Sequence, residues 1–279
     1  MDDEFPEAFS QTFRVRYDEC GADGTLRASV HMRLVQEIAF GHSAALGFPL
    51  AWYEQHRTFW LVRRVHLVVH APARYGDALD YTTRVLGARK VLARRLNTAR
   101  RAGDGTPVAT AVVDWILTRE GIAPVRIPEE MARAFPAMQQ PIAPIPLDEA
   151  APPISAEASP LWIRAGDVDA LGHANNAAYL DLFDDAVVRA GGQRVIEAHP
   201  RTYDLLYHAA AESGAALRDR AWSETGLWHY RLERPDGTLL LPVAAEGAVF
   251  AFLLRGVWGI VLVPLPLLLV PETWARVAR

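Results

Sequence analysis

One unit of sequence is used twice in this chain, and that constrains its fold more than any other feature. Phe13-Arg14-Val15-Arg16-Tyr17 leads through a Gly/Asp-rich turn into an amphipathic stretch, His31 to Leu46. Leu161-Trp162-Ile163-Arg164 leads through a second such turn into another, Asn176 to Ala190. Arg16 and Arg164 lie 148 positions apart, and so do Glu37 and Asp185. The copies also end alike. Asp114-Trp115-Ile116-Leu117 precedes Arg126-Ile127-Pro128-Glu129-Glu130, and Val257-Trp258-Gly259-Ile260 precedes Leu269-Val270-Pro271-Glu272-Thr273, with Trp-to-Trp and Pro-to-Pro spacings of 143. Starts, helices and ends that match in order mark a duplication. Between the copies, Met138–Pro160 is proline-rich and aperiodic, an extended linker. The expected organisation is therefore residues 1–137, a linker at 138–160, and residues 161–279.

Each copy reads as a strand, a long helix and several strands. Strands are expected around Trp60–His70, Ala78–Leu86, Leu92–Arg100 and Val108–Thr118, with Gly103-Asp104-Gly105 as a hairpin turn between the last two. In the second copy, Leu227–Glu233 and Thr238–Ala245 flank Pro235-Asp236-Gly237, a second hairpin turn. A further helix is expected within Val195–Leu217, and Trp222–Tyr230 carries no clear pattern. One long helix followed by an antiparallel sheet is an α+β unit with the helix on one sheet face.

Composition narrows the function classes. About half of the chain is hydrophobic, 51 %, and 22 % is charged, so a packed core is expected rather than disorder. The net charge of −4 and the lack of a recognition motif argue against nucleic acid as a partner. Cys20 is the single cysteine, which excludes an intrachain disulfide, fits a reducing cytoplasm, and reads as a passive thiol. The acidic start, MDDEFPEAFS, is not a secretory signal. Gly247–Val270 is strongly apolar, but Arg255, Pro264 and Pro266 interrupt it, so it reads as strands rather than a membrane span. No metal-spaced His/Cys cluster and no Gly-rich phosphate loop occur, so no metal or cofactor is expected. Cytoplasmic localisation follows from these readings as an expectation.

One segment carries chemistry. Asp167-Val168-Asp169-Ala170-Leu171-Gly172-His173-Ala174-Asn175-Asn176-Ala177-Ala178-Tyr179-Leu180 resembles the DxxGHxNNxxY signature of hotdog-fold acyl thioesterases. The first copy adds Leu34-Val35-Gln36-Glu37-Ile38-Ala39 with His42, Phe59-Trp60-Leu61-Val62-Arg63, Tyr75-Gly76-Asp77, and Arg126-Ile127-Pro128-Glu129-Glu130. In that order these segments are similar to the acyl-acyl-carrier-protein (acyl-ACP) thioesterases of plants and bacteria, over nearly the whole chain and most weakly across Gly191–Leu227. The resemblance implies a tandem (double) hotdog, each a curved antiparallel sheet wrapped around a long central helix. It implies hydrolysis of a fatty acyl thioester to a free fatty acid and a thiol carrier.

Thioester hydrolysis needs an activated water or a nucleophile, and donors for the developing oxyanion. Asp169 is the candidate for the first role, as a base lifted by burial beside an acyl tunnel, or as a nucleophile forming an anhydride. An ordinary surface-turn aspartate is its bland alternative. Gly172 and His173 precede a helix, whose free N–H groups favour a carbonyl oxygen gaining charge. Gly172 also permits close approach of substrate, with Leu171 and Tyr179 beside it. His173 either orients substrate and water or simply starts the helix. Asn175 and Asn176 are good N-caps, one of which is left over for the site. Asp185, twelve positions beyond His173, supports the site or is a solvated helix charge beside Asp181 and Asp184. The first copy shows Leu26-Arg27-Ala28-Ser29 where the histidine and asparagines would fall, so one active site is expected, with the first copy shaping the acyl pocket.

Two departures from that family stand out. Leu171 occupies the place where an asparagine is usual, and Ala210-Ala211 replace a later acid and cysteine, with Glu212 nearby but out of register. A further feature concerns the partner. Arg57–Arg101 holds eleven basic residues against Asp77 and Asp80. Arg63, Arg64, Arg94 and Arg95, with Arg74, Arg89, Lys90, Arg100 and Arg101, are candidates for docking an acidic carrier protein; a solvated sheet edge is the alternative. An acyl-CoA thioesterase and a non-catalytic acyl-binding protein are the competing functions. The dehydratases of this fold are disfavoured by the lack of a His-x-x-x-Pro-Gly segment. Monomer and homodimer both fit.

Overall fold

The computed structural model describes residues 7–120, 123–145 and 150–247. The first repeat comprises β1 (Ala8–Arg14), α1 (Ala28–Ala45), α2 (Leu50–His56), β2 (Thr58–Val69), β3 (Ala78–Arg89), β4 (Leu92–Arg101), β5 (Pro107–Arg119), the short β6 (Ala123–Pro124) and α3 (Glu129–Ala134). The second comprises β7 (Ser159–Trp162), α4 (Ala178–Arg189), α5 (Gln193–Glu197), β8 (Arg201–Leu206), β9 (Ala216–Glu224), β10 (Leu227–Glu233) and β11 (Leu239–Gly247). The matching ends around Trp258 and Pro271, and the apolar run after Gly247, lie outside the described residues.

All of the described strands join one antiparallel sheet, in the order β1-β3-β4-β5-β2-β8-β11-β10-β9-β7, with β6 on β5. Read from the middle outward, each half has the same succession. An internal two-fold therefore passes between β2 and β8, where Val65 faces Leu205 and Leu67 faces Tyr203. The repeats are two hotdogs that share a sheet.

Each helix buries one stripe against its sheet. Helix α1 buries Val30, Met32, Val35, Ile38 and Ala39, and α4 buries Tyr179, Leu180, Leu182, Phe183 and Val187. These spacings keep apolar groups on one helical face, and they pack with Val65, Leu67, Val113, Leu205 and Val243 in one core. Each large side chain removed from water there contributes about 1.5–3 kcal/mol. Among the described residues no helix is long and apolar enough to cross a membrane.

Both expected hairpin turns are present. Asp104 and Asp236 each accept a hydrogen bond from the backbone N–H two residues on, at 2.9 Å, and Gly105 and Gly237 take the positive φ that the tight turns require. Trp222–Tyr230 is also a hairpin. Its turn, Thr225-Gly226, has positive φ at both residues, the geometry that suits the twist of paired strands.

The helix expected within Val195–Leu217 is a correction. Only Gln193–Glu197 is helical, and Arg201–Leu206 is strand β8. Pro200 cannot continue a helix, and the following residues alternate buried Arg201, Tyr203 and Leu205 with Thr202, Asp204 and Leu206 outside, the period of a strand. The connecting segment is tied down at both ends. Ala88 N–H donates to the Gln140 carbonyl at 3.0 Å, and Arg220 donates to the Ala156 carbonyl at 3.0 Å. Only glycine fits at position 87, where a Cβ would meet Ile142 Cγ2 at 2.5 Å.

Candidate active site

The loop before α4 has the same backbone plan as the loop before α1. Asp169 N–H donates to His173 C=O at 2.9 Å and Gly172 N–H to Asp169 C=O at 3.0 Å; Gly21 with Thr25 and Gly24 with Gly21 repeat this at 2.8 and 2.9 Å. Gly172 and Gly24 both have positive φ. Arg164 N–H donates to the Asp167 carboxylate at 3.0 Å, as Arg16 N–H does to Glu19 at 2.8 Å. The offset is 148 throughout. It places Gly21 opposite Asp169, Thr25 opposite His173, Arg27 opposite Asn175 and Ala28 opposite Asn176, one position from the alignment expected from sequence. The first loop thus holds no carboxylate, imidazole or amide at those places, although the backbone is alike.

In the second loop Asp169 is partly exposed and is held by one main-chain and one side-chain donor. Its Oδ1 accepts from Leu171 N–H at 2.9 Å, and its Oδ2 lies 3.5 Å from the Asn175 amide nitrogen. Asn175 Oδ1 also accepts from Ala177 N–H at 2.9 Å, so Asn175 does the capping that precedes α4. Asn176 is held through its main chain, its carbonyl accepting from the Tyr207 hydroxyl at 2.8 Å. Among the described residues the Asn176 amide and the His173 imidazole make no hydrogen bond, so both are available to a substrate. The Gly172 N–H is not, since it is given to Asp169.

Two tyrosines fix this loop. Tyr179 is 2 % exposed, and its hydroxyl accepts from Ala211 N–H at 3.0 Å. Its ring meets that of Tyr207 edge-on at 5.6 Å. Ala211 in turn accepts from Ala174 N–H at 2.8 Å. Tyr179 is therefore a buried support rather than a substrate contact, and burial pushes its phenol up. Tyr207 was not singled out from sequence, though it lies three positions before Ala210. Leu171 is 43 % exposed at the tip of the loop, and Glu212 bridges His173 through the backbone.

Asp185 is not part of this cluster. It is exposed on α4, about 10 Å along the axis from the helix start, and it lines a cavity of about 670 Å³ with Asp23, Thr25, Arg27, Arg164 and Arg201. That cavity is walled by the first repeat's loop, Gly21 to Arg27, and by the start of the second, Arg164 to Asp167, but not by Asp169 or His173. Asp184 lies there too. Burial pushes its carboxyl up to about 7, partly offset by Arg201 and by the Tyr203 hydroxyl, 3.2 Å away.

The arginines expected at a docking surface divide differently. Arg94 is 1 % exposed and donates to both oxygens of Asp114 at 2.6 and 2.8 Å. Arg64 is buried against Asp204 at 2.9 Å, and Arg95 is buried beside His42. These three are inside the protein and cannot meet a carrier. The acids that pair with Arg94 and Arg64 come from β5 and β8, outside the basic run. Arg63 is half-buried, and its guanidinium donates to the Tyr207 carbonyl, next to the loop. Arg84, Arg89 and Lys90 are exposed.

Residues 6–135 match the family model described as the acyl-ACP thioesterase N-terminal domain. No curated protein matches the sequence. Among solved structures, an acyl-ACP thioesterase from Bacteroides thetaiotaomicron is similar at 13 % identity, covering 86 % of this chain and 97 % of its own, with a TM-score of 0.72. The 12:0-ACP thioesterase from Umbellularia californica is similar at 22 % identity, covering 88 % and 96 %, with a TM-score of 0.72. At such identities the likeness shows the fold, a tandem hotdog.

Proposed function

We propose that this chain, whose N-terminal half belongs to the acyl-ACP thioesterase family, hydrolyses fatty acyl thioesters of acyl carrier protein to free fatty acid and carrier thiol. The observation that carries this reading is the Asp169 carboxylate held by Leu171 N–H and the Asn175 amide, on a loop that also bears the unbonded His173 imidazole and Asn176 amide, in a fold shared with such enzymes. Asp169 takes a proton from water as the water oxygen adds to the thioester carbon. The Asn176 amide or the His173 imidazole meets the carbonyl oxygen as it gains charge. The C–S bond then breaks, and the thiolate leaves with the proton. Both oxygens of Asp169 face a hydrogen-bond donor, which suits a base holding water better than a nucleophile attacking the carbon.

The internal two-fold supplies a second carboxylate. The first repeat's loop shares its cavity with Asp181, Asp185 and Val188 of α4. At the offset of 148 the corresponding neighbours of the Asp169 loop are Arg33, Glu37 and Phe40 of α1. Glu37, not Asp185, is then the helix acid that serves the site, in the absence of one at Ala210. Exposed Arg84, Arg89 and Lys90 are the basic groups that a carrier would meet. The family match favours carrier thioesters over CoA thioesters.

The test is thiol release from purified protein, on carrier and CoA thioesters of the same acyl groups. Asp169→Asn should cut kcat by about a hundredfold or more. Wild-type protein that binds acyl chains without turnover would instead be an acyl-binding protein on this fold.

A further inference from the structure

The core-facing residues of β4 are Ala93, Arg95, Asn97 and Ala99. A strand of this kind ordinarily turns only apolar groups inward, and places where the pattern fails tend to have a function. Arg95 is 6 % exposed. Its Nη1 lies 3.0 Å from His42 Nδ1, and its guanidinium lies over the Phe135 ring at 5.2 Å. Among the described residues it makes no ion pair, whereas the adjacent Arg94 is neutralised by Asp114. Burial pushes the Arg95 guanidinium down to about 10, and the one ionisable group that opposes this is the Tyr53 phenol. It remains a cation at neutral pH. A buried cation without an anion is costly unless something supplies one.

Arg95 lines a small cavity with Phe40, Tyr53, Trp60, Trp115 and Phe135. About 20 Å³ is open there, room for roughly one or two water-sized groups, which the two oxygens of a carboxylate would fill. The walls are aromatic, so methylenes can lie along them, and one wall reaches the surface through Phe40, 46 % exposed.

We propose that this cavity is the far end of the acyl site and that Arg95 binds a terminal carboxylate there, so that the favoured substrates are half-thioesters of dicarboxylic acids. The proposal rests on the thioesterase reading above. The guanidinium fork matches a carboxylate in two parallel hydrogen bonds, and the dry surroundings strengthen them. An acyl chain ending in a methyl group would leave the cation unpaired. Free fatty acid could present the same carboxylate, and the experiment separates the two sources.

The experiment compares pantetheine half-thioesters of dicarboxylic acids with the thioesters of monocarboxylic acids of equal length, over a series of lengths, on the full chain. The wild type should favour the carboxylated series in kcat/KM by roughly ten- to hundredfold, the size of a hydrogen bond to a charged group. Arg95→Met should lose that preference. Arg95→Gln, which keeps a donor toward His42, provides the same comparison if the methionine variant does not fold. A wild type that favours the methyl-ended series, or a ratio unchanged by both variants, overturns the proposal and leaves Arg95 as a cation cushioned by aromatic rings. If neither series releases thiol, the thioesterase reading fails, and calorimetry with free dicarboxylic and monocarboxylic acids decides the site. Tighter binding of the diacid, lost in the variant, supports the Arg95 carboxylate site. Equal binding of both acids, lost in the variant, assigns the site to free fatty acid and overturns the substrate claim, and binding unaffected by substitution removes the site altogether.

Discussion

Arg33 and Asp181 stand 148 positions apart, hold the same place in the two repeats, and meet across α1 and α4 with Nη2 3.1 Å from Oδ2. A residue that contacts its own counterpart lies close to the two-fold axis that relates them. The same axis separates β2 from β8. The duplication has thus diverged at this contact from like residues, which would repel or ignore each other, to an opposite-charge pair.

Exchanging the pair tests that geometry. Arg33→Asp places two carboxylates opposite one another and should lower stability by up to about 1 kcal/mol, a modest loss because both side chains are partly exposed. Adding Asp181→Arg should restore most of it. Urea titration of the two single variants and the double variant measures the coupling, and additive losses would separate the pair.

The carboxylates on the two central helices give a sharper test of the site. Glu37→Gln should lower kcat on acyl thioesters by about tenfold or more, while Asp185→Asn should leave it near wild type. Steady-state kinetics on both variants decides the matter. The opposite ranking would mean that the acid on α4 serves the site and that the two-fold argument fails.

Tyr207→Phe removes only the hydroxyl that holds the Asn176 carbonyl. Stability should fall by about 1–3 kcal/mol, the cost of a carbonyl left unpaired in a largely buried place. Turnover should fall further than folded fraction, because the amide of Asn176 loses its anchor. Comparing kcat per folded molecule with the thermal midpoint separates the two effects.

Some of this was legible in the sequence and some was not, for physical reasons. The hairpins at Asp104-Gly105 and Asp236-Gly237 are local chemistry and could be read directly. The Gly/Asp-rich turn before α4 was legible for the same reason, whereas the roles of Asp169 and His173 rest on the resemblance. Strand β8 was not, because it is short and follows Pro200, and its partner β2 lies more than a hundred positions away. Asp185 was named from the resemblance, with a solvated helix charge as the alternative, and its place in the sequence fixes its height on α4 but not the loop it faces. Arg64 and Arg94 looked unpaired because Asp204 and Asp114 enter the sheet from strands beyond the basic run.

The exposed cations Arg89 and Lys90 close the turn between β3 and β4. Arg89→Glu with Lys90→Glu should raise KM for carrier-protein thioesters by about tenfold at low salt and much less at high salt, with pantetheine thioesters unaffected. Kinetics with the two substrate forms at both salt levels checks it. An equal effect on pantetheine thioesters would place the change at the active site rather than at a docking surface.

Acid sensitivity follows from His31. It is 1 % exposed on α1, and its Nδ1 lies 2.6 Å from the Tyr81 hydroxyl. Burial, with like charge from Arg201 and His199, pushes the imidazole from an ordinary value of 6.5 down to about 3. The folded protein therefore keeps His31 neutral while the unfolded chain takes up a proton near pH 6.5. Stability from this residue is complete above that pH and is lost as pH falls from 6.5 toward 3. His31→Gln, which can still pair with Tyr81, removes the proton uptake. Its thermal midpoint should therefore gain on the wild type steadily between about pH 6.5 and about pH 4 and hold a constant offset above pH 7. An offset that stays flat through the acid range would mean that the carboxylates, not His31, govern acid unfolding.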